Sequence, residues 1–543
     1  MRVIKMERLS GVNIRKGESF GVGFLLVLAF LAWFFRPWLH GIILGLYRYP
    51  ITAYILILLI AAMLYGVKAK YTRTSKDKMV TSALGVLLVI LIFVSFFTGA
   101  LTNTALYREY HPKEVSSALA LSTTNIRILP KATAYRYAVD TIEYARYTLG
   151  APHLTIKSGS PVWAFYIVPD GAWNAIRLKD KGVLFVSMNT TRADIERVEN
   201  ELQVGPNMQI FDNLEWKIYK KHFLIDPDLP RVLHYEGKIY IVVPYISYRF
   251  RVFYTVPKWG GVIIIDEDGN IEDLKPEEAL KDPRLKDFPL FPESLTRDIV
   301  EAQNYWMDSF LSNIKNLWLY HKNQIELIDV SNQGNRQPFL VIANDGRKYW
   351  MTAVEPYGRA HGLAAIYLMD AQSGEMTQVK FETPLTGPVK AIDYVKKALP
   401  TFDWSQFRAV EPIPVFLEGT LWWRIAIIPN TGSGVAKIAF VNAESKDVRI
   451  FEKEGDVKDF ILTGQVKPSN ETQTIEGVLK AKYSYIQNGN THWILLIDNQ
   501  TILTSAEDLS EELIYKLLIL KEGDRVKIEL KDGRVVEINV ERG

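Results

Sequence analysis

Met79–Leu101 (MVTSALGVLLVILIFVSFFTGAL) is an uncharged apolar run, and its length decides the class of the protein. A helix needs about 20 apolar residues, at about 1.5 Å each, to cross roughly 30 Å of hydrocarbon. This run meets that requirement alone. Two shorter runs precede it, Phe20–Phe35 (FGVGFLLVLAFLAWFF) and Ile51–Val67 (ITAYILILLIAAMLYGV). They reach the length only with their flanks, Arg36-Pro37-Trp38 and Gly41–Tyr49, whose Trp and Tyr suit a membrane interface. The pattern predicts a basic tail at 1–19, then three transmembrane helices within 20–102, at 20–39, 45–67 and 79–101. No A-x-A-like cleavage site follows the first run and two further runs do, so a span fits it better than a signal peptide.

Basic residues set the expected orientation. Arg2, Lys5, Arg8, Arg15 and Lys16 precede the first run, and Lys68, Lys70, Arg73, Lys76 and Lys78 lie between the second and third. Only Arg36 and Arg48 lie between the first and second. The positive-inside rule then predicts a cytoplasmic N-terminus in the cell membrane and residues 103–543 on the outer side. Residues 1–102 hold 12 Lys and Arg against 3 Asp and Glu, and the remainder holds 52 against 58, so a basic membrane part precedes a mildly acidic external part. An acidic surface is the wrong sign for gripping phosphates, which argues against nucleic acid as a partner. The chain has no cysteine, which excludes disulfides, thiolate metal ligands and a cysteine nucleophile. The spans carry no Asp, Glu, Lys or His between Phe20 and Phe35, Ile51 and Val67, or Met79 and Leu101. Ion pathways need buried ionisable groups, so an anchor fits better than a transporter.

After a polar connector, 103–130, a pattern recurs: an amphipathic helix, an aromatic strand, then a Gly-led strand. The helices are expected at Lys131–Leu149, Pro292–Tyr320 and Pro388–Leu399. The aromatic strands are Val162–Val168 (VWAFYIV), Lys238–Val243 (KIYIVV), Lys348–Val354 (KYWMTAV) and Leu421–Ile427 (LWWRIAI). The Gly-led strands are Gly182–Val186, Gly261–Ile265, Gly362–Tyr367 and Gly434–Phe440. Three of these run into polar turns, at Asp266–Asn270, Asp370–Glu375 and Asn442–Asp447, and then another strand. The repeats predict two divergent α+β modules in 131–290 and one each in 291–385 and 386–460, every module a helix on an antiparallel sheet. The order of helix, aromatic strand and "hydrophobics–Asp–x–x–Gly–x–Val", clearest at 293–381 and 387–451, resembles PepSY-like domains. That resemblance implies small extracytoplasmic α+β units that bind or restrain peptidases and other envelope proteins, with no catalytic residues to carry over.

A linker at 461–473 leads to a final unit, 474–543, with strands at Ile475–Ile486, Trp493–Asp498, Thr501–Thr504, Arg525–Leu530 and Arg534–Val540. A helix at Leu509–Leu520, capped by Ser505 or Asp508, separates the third strand from the fourth. This order resembles an OB-fold layout and predicts a small OB-like β-barrel. Its 9 Lys and Arg against 12 Asp and Glu do not suit nucleic acid.

No catalytic, cofactor-binding or metal-binding residue emerges. The histidines His40, His111, His153, His222, His234, His321, His361 and His492 make no i,i+3 or i,i+4 pair and are expected at surfaces and strand ends. Thr431-Gly432-Ser433-Gly434 lies between two strands and predicts a hairpin turn rather than a phosphate loop. Asp266–Asn270 lacks the glycine spacing and the distant glutamate of a calcium loop. Strand alternation predicts one exposed aromatic per module, from pairs such as Tyr349-Trp350 and Trp422-Trp423. Asn189-Thr190-Thr191, Asn470-Glu471-Thr472 and Asn499-Gln500-Thr501 permit glycosylation on the outer side. The expectation is a non-enzymatic binding or scaffold component of the cell envelope. Its partners would be the lipid bilayer and other envelope proteins or further copies of itself, and it needs no cofactor. A regulator or inhibitor of an extracytoplasmic peptidase, and a hydrolase whose carboxylates meet only in the fold, are the alternatives.

Overall fold

The computed structural model describes residues 23–24, 26–72, 74–115, 127–305, 324–334, 336–343, 345–358, 362–417, 419–463, 472–487, 490–498, 500–506, 509–531 and 534–541. Two helices, Pro50–Thr72 and Ser75–Ser95, are long and apolar enough to cross a membrane. Thr74 turns the chain between them, its Oγ1 accepting the Asp77 N–H at 3.3 Å.

The first apolar run is not the straight span predicted. The helix Leu26–Phe34 meets the helix Arg36–Arg48 at 86°, so the two make at most one bent span. Bonds to the folded part hold Arg36–Arg48 sideways. Arg36 donates to the Lys220 carbonyl at 2.7 Å, His40 Nε2 lies 3.0 Å from the Ile225 carbonyl, and the Tyr47 hydroxyl donates to the Tyr248 carbonyl at 3.2 Å. Pro50 then opens the next helix, beyond the predicted start at 45. The third predicted span ends at Ser95, and a separate helix, Thr98–Glu109, runs onto the folded part.

Beyond Arg127 one arrangement occurs four times, a helix followed by a mostly antiparallel meander. The helices are Lys131–Val139, Leu214–Lys221, Glu293–Ala302 and Pro388–Ala398. The aromatic runs lie in the central strands Ser160–Pro169, Lys238–Phe250, Lys348–Pro356 and Thr420–Pro429. In three units the strand before the central one is cut in two. Tyr147–Leu149 and His153–Lys157 both pair with the first central strand, Asp226–Pro227 and Arg231–Tyr235 with the second, and Ile325–Leu327 and Phe339–Ile342 with the third. In the fourth the halves remain one strand, Phe407–Leu417, whose register slips between Val410 and Ile413. The Gly-led segments fall in Val183–Ser187, Thr255–Ile265, Gly362–Asp370 and, starting later than expected, Lys437–Asn442. The connector adds Lys113–Val115 as a parallel sixth strand to the third sheet.

The aromatic signature has a structural cause. Trp163 donates its indole N–H to the Leu129 carbonyl at 3.1 Å, Trp350 to Phe291 at 2.9 Å, and Trp423 to Thr386 at 2.7 Å. Each acceptor stands just ahead of its unit's helix, so the strand fixes where the helix begins. The same three residues donate their own N–H groups to Met188, Ala371 and Ala443, each directly after a Gly-led strand. In the second unit Gln203 donates likewise to the Glu267 carbonyl at 2.8 Å, without a tryptophan.

Each of these four helices is sandwiched between its own sheet and the preceding one. Ile299 and Val300 pack on Ile246 and Val256 of the second sheet and on Val354 and Met369 of the third. Ala391, Ile392 and Val395 join Met351 and Ile366 to Trp423 and Ile425. Leu214 and Ile218 bridge the first and second sheets. The series closes on itself: Ala132 packs on Val410, Ala426 and Ile428 of the fourth sheet, and Ala134 and Ala138 pack on Phe165 and Leu184 of the first. The four units therefore form a ring.

This packing overturns two expectations. Tyr349 and Trp350 are both buried, and half-buried Trp422 lies edge-on against Phe460 with ring centroids 5.3 Å apart, because helices cover both faces of the sheets. The helix from Lys131 stops at Val139, since Tyr147–Leu149 pairs with Ile167–Pro169 and tertiary pairing overrides helical periodicity. The helix expected at Pro292–Tyr320 spans Glu293–Ala302 with a 3-10 turn to Tyr305; 306–323 lie outside the described residues.

The C-terminal unit has the predicted strands in an open sheet ordered Gln500–Ser505, Asn490–Ile497, Thr472–Gln487, Arg525–Lys531, Arg534–Glu541. The long strand gives its first half to Arg525–Lys531 and its second to Asn490–Ile497, with a register slip between Leu479 and Ala481. At the corner, a Cβ on Gly477 would lie 2.2 Å from Asp498 Oδ2, so only glycine fits. Among the described residues Gln500–Ser505 and Arg534–Glu541 stay unpaired with each other, and no closed barrel forms. The helix Glu511–Ile519 fills the core with Leu517 instead, and its cap is Ser510, whose Oγ accepts the Leu513 N–H at 3.3 Å.

Candidate functional site

Three arginines stand in apolar sequence surroundings: Ile126-Arg127-Ile128, Pro230-Arg231-Val232 and Trp423-Arg424-Ile425. All are buried, with 7%, 2% and 0% of their surface exposed. Burying a guanidinium is costly unless it is paired or bound. Arg127 donates to Glu411 Oε2 at 2.6 Å and lies 4.5 Å over the Trp163 ring. Arg231 donates to Glu293 Oε2 at 3.2 Å and lies 4.9 Å over the Trp350 ring. Arg424 reaches only the Ile128 carbonyl, at 3.4 Å, and burial, with Arg127 nearby, pulls its pKa down to about 9 against the pull of Glu411. Arg127 Nε, Arg231 Nη1, and Arg424 Nε and Nη2 have no hydrogen-bond partner.

Arg127 and Arg231 face one cavity of about 590 Å³, where the first three units meet. Lys131 and Arg336 also line it, with Trp163, Tyr166, Trp350 and Phe339 as apolar walls. Glu411 of the fourth unit approaches from behind Gly334. Glu293, at the start of its helix, is fixed by Arg231 and Arg297, while Asp228 of the neighbouring unit accepts from the Glu293 N–H and from Ser294 Oγ at 3.1 Å. Glu293, which lines the cavity, and Glu411 behind it are thus both held by guanidinium groups.

His153 stacks on Tyr166 with ring centroids 5.1 Å apart and no partner on Nε2. Burial, seconded by Arg231, pulls its pKa down to about 4, so it is neutral at physiological pH. It opens the strand His153–Lys157, as expected of a strand-end histidine, whereas His40, buried within the helix Arg36–Arg48, departs from the expectation. His321 and His361 lie outside the described residues. A second cavity of about 580 Å³ beside Tyr107 and Tyr367 offers one ammonium, Lys380, already paired with Glu114. Among the described residues no group of His, Asp and Glu is arranged to hold a metal ion.

The features singled out in the sequence find structural uses. Asp266 folds its turn by accepting from the Asn270 N–H and side-chain amide, each at 2.8 Å. The Pro429–Gly432 turn supplies carbonyls to Arg136 from the first helix. Thr190 and Thr191 of the first sequon donate to Glu454, at 2.7 and 3.0 Å. Both contacts tie the fourth unit to the first. The cavity itself was missed because its residues share no spacing. The available signal was a single arginine within a run of residues destined for burial.

No protein-family model matches this sequence, and no curated protein does. Solved structures give faint likenesses. An endo-arabinase from Bacteroides thetaiotaomicron VPI-5482 is similar at TM-score 0.18 and 10% identity, covering 55% of this chain and 76% of its own. An acylaminoacyl peptidase from Pyrococcus horikoshii gives 0.15 and 7%, covering 77% and 53%. A GH32 beta-fructofuranosidase from Bombyx mori gives 0.16 and 9%, covering 74% and 75%. At such scores none bears on fold or function.

One buried carboxyl near the cavity makes pH a test of the packing. Asp180 is fully buried against Gly205, both oxygens lack partners, and burial raises its pKa to about 7 against the opposing pull of Lys179. The folded state then keeps a proton that the unfolded state loses near pH 4, so stability falls as pH rises toward 7 and levels off above it. Between pH 5 and pH 8 the loss amounts to about 3 kcal/mol. Asp180→Asn is expected to abolish that dependence. Denaturant unfolding of both proteins in detergent at the two pH values checks this, and parallel losses would contradict it.

Proposed function

We propose that the protein is a membrane-anchored, non-enzymatic binding component of the cell envelope that holds a small anionic ligand in the cavity at the ring. One observation carries this reading: four basic residues, Arg127, Lys131, Arg231 and Arg336, line the same aromatic-walled cavity, against one acidic lining residue, Glu293. Buried donors seek acceptors, and a carboxylate or phosphate is the strongest partner for a guanidinium. A volume of about 590 Å³ lies within the range that small ligands occupy. Glu293 is engaged with arginines, which favours binding over proton transfer. The two apolar helices support the anchor, and the basic turn between them, Lys68 to Lys78, supports a ring on the outer side; a cytoplasmic N-terminus further needs the run Phe20–Phe35 to cross.

Calorimetric titration of the detergent-solubilised protein with inorganic phosphate and with succinate tests the reading. Lys131 and Arg336 are exposed at the rim, so Lys131→Gln with Arg336→Gln leaves the core intact. Charge-assisted bonds contribute about 1.5–3 kcal/mol each, so the double variant is expected to bind at least about tenfold more weakly. Absence of binding by either anion in the unaltered protein would overturn the proposal.

A further inference from the structure

The helix Arg36–Arg48 is amphipathic in the inverse sense for a helix on a protein in water. Its polar side chains point inward. His40 stacks on Tyr219 with ring centroids 3.6 Å apart, Tyr47 bonds to the Tyr248 carbonyl, and Arg48 spans Asp226 and Asp298 at 3.7 Å each. Its outward residues are apolar: Trp38 is 70% exposed and Ile42 66%, with Leu39 and Ile43 beside them.

A second element extends the same face. The turn between Lys238–Phe250 and Thr255–Ile265 exposes Phe250, Val252 and Phe253 at its tip, with Arg251 between them. It is tied to the helix because Thr255 Oγ1 donates to the Arg48 carbonyl at 2.7 Å. It is tied to the other span as well, since Thr102 Oγ1 of Thr98–Glu109 donates to the Thr255 carbonyl at 3.0 Å. The helix adjoins the start of the span Pro50–Thr72, and Thr98–Glu109 follows the end of the span Ser75–Ser95. Helix and tip therefore stand at the one edge of the ring that both candidate spans touch.

From this we infer that Arg36–Arg48 lies in the plane of the bilayer surface, and that the tip Phe250–Phe253 dips beside it, so the ring docks flat on lipid rather than hanging from a tether. The occupant of this apolar face is the lipid surface into which the spans lead. Apolar side chains of an interfacial helix enter the boundary between headgroups and acyl chains, where Trp is favoured and Arg251 meets phosphates. This surface is separate from the cavity, so it stands whatever the cavity binds.

The absence of cysteine allows single labels in the full-length chain. Ile42→Cys, Val252→Cys, Leu56→Cys within a span and Ser445→Cys on a distant exposed turn would each carry a nitroxide in phosphatidylethanolamine–phosphatidylglycerol vesicles. Collision with oxygen reports lipid, and collision with a water-soluble nickel chelate reports water. Labels at 42 and 252 are expected to favour oxygen, as at 56, while 445 favours nickel. Nickel access at 42 and 252 equal to that at 445 would overturn the inference. So would low access to both reagents, which would mean that a protein covers the face.

Discussion

Glu411→Ala is expected to cost about 3–5 kcal/mol and to open the ring where its fourth unit meets its first. Glu411 occupies the register slip of Phe407–Leu417, with its backbone at φ +51°. That position turns its side chain across the junction. One carboxylate oxygen takes Arg127 at 2.6 Å, and the other takes the Lys131 N–H at 2.7 Å. Its removal leaves Arg127 and Arg424 as two buried cations without the negative charge between them. Glu411→Gln keeps an acceptor for the Lys131 N–H and should fall between the alanine variant and the unaltered protein. Thermal unfolding in detergent measures the loss, and trypsin reports the opening by cleaving after Arg127, now buried. A Tm unchanged in Glu411→Ala would refute the role of the clamp.

Trp423→Ala is the other large effect, at about 3–5 kcal/mol for the cavity alone. The side chain is fully buried in the core that joins the third sheet, the helix Pro388–Ala398 and the fourth sheet. Its loss also strands the Thr386 carbonyl, for about 1–3 kcal/mol more. Trp423→Phe retains most of the volume and loses the hydrogen bond, so it should cost about 1–3 kcal/mol. The neighbouring Trp422 is half-buried against Phe460, and Trp422→Ala should do less damage than Trp423→Ala. Equal losses at 422 and 423 in denaturant titrations would show that the repeated indole bond is not what fixes the helix.

The pattern in the sequence located strands better than it located their surroundings. Lys348–Val354 and Leu421–Ile427 announce themselves by aromatic and β-branched residues, and both lie in central strands. Alternation along the same strands misled, because it presumes that one face meets water. Here a helix from the next unit covers that face, and nothing local to Tyr349 records the fact. The OB-like layout failed at closure for a related reason. The strand order of 474–543 was legible, whereas the pairing of Gln500–Ser505 with Arg534–Glu541 that a barrel requires is absent among the described residues, and no local pattern in either strand records that. The first apolar run was legible as apolar, but its 86° break depends on carbonyls of Lys220 and Ile225 far along the chain. Likewise the cavity gathers Arg127, Arg231 and Arg336 from three units, and proximity of that kind leaves no spacing to find.

Closure also fixes copy number. An open array of repeats can gain or lose a unit at the cost of one junction, because its ends are free. A ring of four turns a quarter revolution per unit on average, and each unit's leading helix is shared by two sheets. Deleting one unit would bring together a sheet and a helix shaped for other partners, at an angle that three junctions of this kind cannot supply. Insertions in such an architecture are confined to exposed hairpin tips such as 444–446, while duplication or loss of whole repeats is barred by geometry.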